Sequence, residues 1–131
     1  MDLTTVDKHG VYWDFSKSSR REEARDLLEL TRPRVLIGSS MCKAFSALQA
    51  LNVDKRDPEV ARRQLVDAEV HLRFCCELYE LQIKRGDYFV DERPVSATSW
   101  KCECGRRIMA IPGMIATVAD QCQYGLTSVD E

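Results

Sequence analysis

The sequence predicts an α/β domain with a mostly parallel sheet flanked by helices. Three observations carry that expectation. Apolar runs and helical segments alternate in the order strand, helix, strand, helices, strand, helix, strand. Two of the runs, Val35–Gly38 and Met114–Ala119, lack polar alternation, as strands covered on both faces do. The 131 residues are 44% hydrophobic and 31% charged, a balance that supports one core and a single domain over 1–131.

Each element has its own signal. Val11–Phe15 is the first apolar run and the first expected strand. Ser19-Arg20-Arg21-Glu22 fits a capping box, with Ala24, Leu27, Leu28 and Leu30 following on one broad helical face. Pro33 stops that helix. Val35–Gly38 follows as a strand, and Lys43–Leu51 reads as a short helix. The polar stretch Asn52–Asp57 is a loop, and Pro58 suits the first turn of the longest helix, which runs to about Arg85. Ala61, Leu65, Ala68, Leu72, Cys75, Tyr79 and Ile83 recur there every three or four residues. Phe74, Leu78 and Leu81 widen that face, and Gly86 ends the helix. Tyr88–Val90 is the third strand. A weaker helix broken by Gly105 spans Thr98–Ala110, and Pro112-Gly113 turns into the fourth strand, Met114–Ala119. The tail over 126–131 is expected to fray.

Charge and cysteine usage narrow the function classes. The net charge of −2 lacks the basic excess of a dedicated nucleic-acid binder. No apolar stretch approaches the roughly 18–20 residues that span a bilayer, so no membrane partner is expected. Met1–Gly10 has no apolar centre of a secretory signal. The six cysteines, 42, 75, 76, 102, 104 and 122, are therefore expected to be reduced thiols of an intracellular protein, nuclear or cytoplasmic. Cys102, Cys104 and Cys122 with His71 do not have the spacing of usual zinc ligand pairs, and no metal is expected.

The run Val35 to Ser46 carries the most chemistry. A strand and a tight Gly38-Ser39-Ser40 turn lead to Cys42 at the start of a helix, where backbone N–H groups and the helix dipole favour a thiolate. Ligands of parallel sheets bind beyond the carboxyl ends of the strands. Those ends carry Asp14, Ser39 to Cys42, Asp91 with Glu92, and Asp120 with Gln121, which should gather along one rim. Cys42 and Glu92 are thus a candidate thiol and carboxylate pair.

These residues also resemble a known family. Leu36 to Ser46, with Cys42 followed by Phe45-Ser46, resembles the nucleophile loop of DNA cytosine-5 methyltransferases, and Glu92 occupies the place of the family's strand-end glutamate. The chain is more similar still to methyltransferase-like segments of retroelement polyproteins. That likeness runs through Trp13-Asp14, Gly38-Ser39, Cys42, Ala44-Phe45-Ser46, Tyr88-Phe89, Glu92, Pro94, Trp100 and Asp120 to Gly125. It implies a partial Rossmann-like, methyltransferase-type sheet. It implies Cys42 attacking C6 of an extruded cytosine and Glu92 holding the N3 edge. It further implies Asp14 and Ser39 near the cofactor S-adenosylmethionine, and Ser46 and Arg93 near the DNA substrate.

The match is partial. Met41 stands where the family has a proline, and the six glycines are isolated, so no Gly-rich cofactor loop exists. The family's target-reading region would lie beyond Glu131. The chain is therefore expected to be a degenerate or truncated methyltransferase-like domain, inactive alone, with a companion segment or self-association to complete it. Its rivals are a non-enzymatic interaction module of a larger polyprotein or complex, and a small thiol-dependent protein using Cys42.

Overall fold

The computed structural model describes residues 6–40, 43–46 and 57–125. Cys42, the 47–51 part of the expected Lys43–Leu51 helix, the loop over 52–56 and the tail over 126–131 lie outside the described residues. The fold is α/β. Helix α1 (Ser18–Thr31) leads to strand β1 (Val35–Gly38), helix α2 (Pro58–Lys84), strand β2 (Tyr88–Asp91) and helix α3 (Glu103–Met109). The two strands pair in parallel, with Val35 opposite Tyr88 and Gly38 opposite Asp91. Helix α2 is the crossover between them.

Helix α2 forms where its start and stop signals say. Asp57 is the N-cap, its carboxylate accepting from Glu59 N at 2.8 Å and Val60 N at 3.3 Å, and Pro58 occupies the first turn. Past Lys84 the chain turns through Gly86 at φ 77°, a conformation that favours glycine. Two faces of the helix support two clusters. Ala68, Leu72, Cys76 and Tyr79 pack with Phe45, Cys104 and Ile108. Phe74 and Leu78 pack with Trp13, Phe15, Ala24 and Leu28, and Leu36 of β1 touches both clusters. Buried Gln82 ties the strand starts to the helix, its Nε2 donating to Pro33 O at 2.9 Å and Tyr88 O at 3.1 Å.

Several expectations are corrected. Val11–Phe15 is not a strand; only Tyr12 makes a bridge, antiparallel to Val6. Trp13 and Phe15 instead plug the α1–α2 cluster, and Asp14 closes a turn into α1 by accepting from Ser16 N and Oγ. Ser19 is no capping residue: α1 begins at Ser18, with Lys17 at the cap making no side-chain bond. Leu30 and Leu65 are exposed rather than on the packed faces. The break near α3 falls at Cys102, whose backbone is extended, and not at Gly105. Met114–Ala119 forms no strand; after Ile111 and Met114 pack on the core, residues 115–120 run exposed. Among the described residues the sheet is covered on one face only: α2 lies on the Leu36, Gly38, Phe89 side, while Val35, Ile37, Tyr88 and Val90 are exposed. The described sheet is therefore two-stranded, not the larger one expected.

His71 gives this core a pH signature. Its ring stacks on Phe15 at 5.8 Å between centroids, and burial lowers its pKa below the usual value. The unfolded chain then takes up this proton first as pH falls. The histidine's contribution is fully present above about pH 6.5 and is lost towards its lower folded pKa, with a slope of at most about 1.4 kcal/mol per pH unit. Urea unfolding of wild type and His71→Phe between pH 7.5 and 5 should show that slope only in wild type. Equal slopes in both proteins would contradict it.

Candidate functional site at the strand ends

The parallel register brings Gly38 and Asp91 side by side, so the residues that follow leave the sheet together. Glu92 N donates to Gly38 O at 3.0 Å, extending the ladder by one bond. Ser39 Oγ then donates to Glu92 Oε2 at 3.1 Å. Two predicted site residues, 53 positions apart, thus meet at the carboxyl ends of adjacent strands, exposed to solvent.

The period of two along a strand separates Glu92 from its neighbours. Asp91 and Arg93 both point inward, beneath the rim. The Arg93 side chain is 0% exposed and that of Asp91 6%, and they form an ion pair. Tyr79 Oη donates to Asp91 Oδ1 at 3.0 Å, and the Arg93 guanidinium lies 4.5 Å from the Trp100 ring centroid. Trp100 Nε1 in turn donates to Pro94 O at 2.9 Å, pinning the chain beyond the strand. Burial is the largest single influence on Arg93 and opposes its charge, but the hydrogen bond and charge of Asp91, with Cys76 and Tyr79, together outweigh it and leave its pKa raised. Glu92 is therefore held at the rim by anchors on both sides of it.

The other predicted residues go elsewhere. Asp14 makes its hydrogen bonds and ion pair locally, to Ser16 and Lys17, and the Ser16 hydroxyl lowers its pKa. Ser46 follows a single turn, Lys43–Phe45, whose buried Phe45 joins the core. Thr98 Oγ1 donates to Phe45 O at 3.1 Å, which fastens that turn to the segment after β2. So the described flanks of Cys42 are both fixed: Gly38 by the sheet and Phe45 by the core. Asp91, expected on the rim, is buried because it shares the face of Phe89.

Cys75, Cys76 and Cys102 do not compete for a nucleophile's role. Burial pushes the Cys75 and Cys76 thiols up to about 12, and it also raises Cys102. Such thiols carry almost no thiolate at neutral pH. A cleft of about 540 Å3 lies between α2 and the start of α3, lined by Glu69, Glu80, Cys102 and Arg107 among others. It shares no residue with the strand-end site; along it Arg107 pairs with Glu80 at 2.6 Å and Arg73 with Glu69 at 3.9 Å.

Sequence reasoning missed the Tyr79–Asp91–Arg93 network. The signal was present in Asp91-x-Arg93, which places two opposite charges on one face of a strand whose other inward residue is Phe89. Compared with protein-family models, curated proteins and solved structures, the chain gives no significant match.

Proposed function

We propose that this chain is a degenerate or truncated cytosine-5 methyltransferase-like domain that transfers no methyl group on its own. The reading rests on Ser39 and Glu92 meeting at the ends of adjacent parallel strands, where Ser39 opens the segment that carries Cys42. In this reading the Cys42 thiolate adds to C6 of an extruded cytosine, and Glu92 holds the base's N3 edge. Ser39 orients the Glu92 carboxylate. Ser46 lies on the substrate side, and Arg93 serves by fixing the strand end, since its guanidinium is buried against Asp91.

The described residues do not fit S-adenosylmethionine. The space a Cβ would take at Gly38 is filled by the Tyr79 ring and hydroxyl. Asp14 is committed to Ser16 and Lys17, and Ser39 to Glu92. A companion segment must then supply the cofactor's place, and no step here is routed through that group.

The pair can be tested without a methyl donor. Addition of the thiolate to C6 leaves a carbanion at C5, which takes a deuteron from heavy water; loss of the original proton and expulsion of the thiolate restore cytosine. Single-stranded cytosine DNA should show C5 deuterium exchange with wild type and none with Cys42→Ser. Glu92→Gln should slow it by about 100-fold or more. Calorimetry should show no heat with S-adenosylmethionine. Exchange absent in wild type, or kept in Cys42→Ser, would end the catalytic reading.

A second reading is a non-enzymatic interaction module, and one observation favours it. Parallel sheets are otherwise covered on both faces, yet the outer face here exposes Val35, Ile37, Tyr88 and Val90, with Ile37 76% exposed. Changing Ile37 and Tyr88 to serine should abolish association if that face docks a partner.

A further inference from the structure

We propose that Met114–Ala119 is a donor strand that pairs with the free edge of β1 in a second copy of this chain. The proposal rests on the interaction-module reading and names its occupant. Donor and acceptor are both visible. Tyr88 N donates to Arg34 O and Glu92 N to Gly38 O, each at 3.0 Å. The alternation of a parallel ladder therefore turns the N–H and C=O groups of Val35 and Ile37 away from β2, to an edge that no described strand takes.

The donor is a segment with strand composition and no strand partner. Met-Ile-Ala-Thr-Val-Ala has no charge and no proline, and Ile115 and Val118 are 87% and 71% exposed. Its start is fixed, because Ile111 and Met114 pack on the core and Gly113 turns at φ 86°. Everything from Ile115 to Asp120 leaves the core exposed.

In an antiparallel register that sets Val118 opposite Val35, Ala116 lies opposite Ile37, so the donor's bonding groups meet the two residues whose N–H and C=O face the free edge. A second copy is the occupant because each chain supplies one such segment and one such edge. Reciprocal exchange about a two-fold axis closes at two chains.

Sedimentation across protein concentration, with hydrogen exchange of the backbone amides, tests this. Wild type should dimerise and protect amides 115–118. Val118→Pro alters an exposed segment, and Ile37→Pro removes an N–H that faces away from β2, so both should keep the monomer's circular dichroism. Each should weaken the dimer by about tenfold or more. A wild type that stays monomeric overturns strand exchange, as does a monomer that protects 115–118 by pairing within one chain. A dimer lost on changing Ile37 and Tyr88 to serine but kept in Val118→Pro also overturns it, while leaving the docking module in place.

Discussion

Replacing Arg93 by methionine is expected to remove about 3–5 kcal/mol of stability, the effect of breaking a buried ion pair from one side. The size follows from the surroundings. Arg93 is 0% exposed, and its guanidinium pairs with Asp91, lies over Trp100 and reaches Cys76 Sγ at 4.0 Å. Methionine fills similar volume but leaves the Asp91 carboxylate buried with only Tyr79 as a donor. For a domain whose total stability is about 5–15 kcal/mol, that is close to unfolding. Asp91→Leu combined with Arg93→Met should recover most of the loss, because both charges then leave the interior together. Arg34→Met is the control. Its pair with Asp87 is 3.6 Å long with Arg34 largely exposed, and its loss should cost less than about 1 kcal/mol. Urea unfolding at pH 7 measures all three. An Arg93→Met variant as stable as Arg34→Met, or a double variant no better than the single one, would show that the pair does not hold the strand end.

The same strand end shows what was legible in the sequence. Helix α2 could be read from Asp57-Pro58, a three-to-four-residue apolar repeat and Gly86, because caps and periodicity are local signals. Strands β1 and β2 were legible as apolar runs, and parallel pairing followed from the helix between them. Val11–Phe15 and Met114–Ala119 were misread for one reason. An apolar run says that side chains seek cover, but a strand also needs a neighbouring edge, which the sequence does not display. Trp13 and Phe15 find cover between α1 and α2 without an edge, and Ile115 and Val118 find neither among the described residues. The meeting of Ser39 with Glu92 was inferable from topology alone. The buried pairing of Arg93 with Asp91 was not, because it depends on which face of β2 meets Tyr79.

Gly38→Ala should be the other severe substitution, with a loss of about 3 kcal/mol for a change of one methyl group. A Cβ on Gly38 would overlap Tyr79 Oη and sit 2.9 Å from its Cζ. The tyrosine cannot step aside cheaply. Its ring stacks on Phe89 at 4.5 Å between centroids, its hydroxyl donates to Asp91, and the residue is 1% exposed. Either β1 lifts off α2, or Tyr79 withdraws and leaves Asp91 to Arg93 alone. Tyr79→Phe by itself should cost about 1.5–3 kcal/mol, since it removes a donor to a buried carboxylate. The two changes should not add. With the hydroxyl gone the worst overlap goes too, so the double variant should fall short of the sum by about 1 kcal/mol or more. Strict additivity would mean that Gly38 and Tyr79 do not touch. The coupling matters beyond stability, because Gly38 is the last residue of β1 before Ser39. If Tyr79 sets the height of that strand end, Gly38→Ala should also slow C5 deuterium exchange at temperatures where the variant remains folded. An unchanged exchange rate in the folded variant would separate the packing under the strand from the chemistry at its tip.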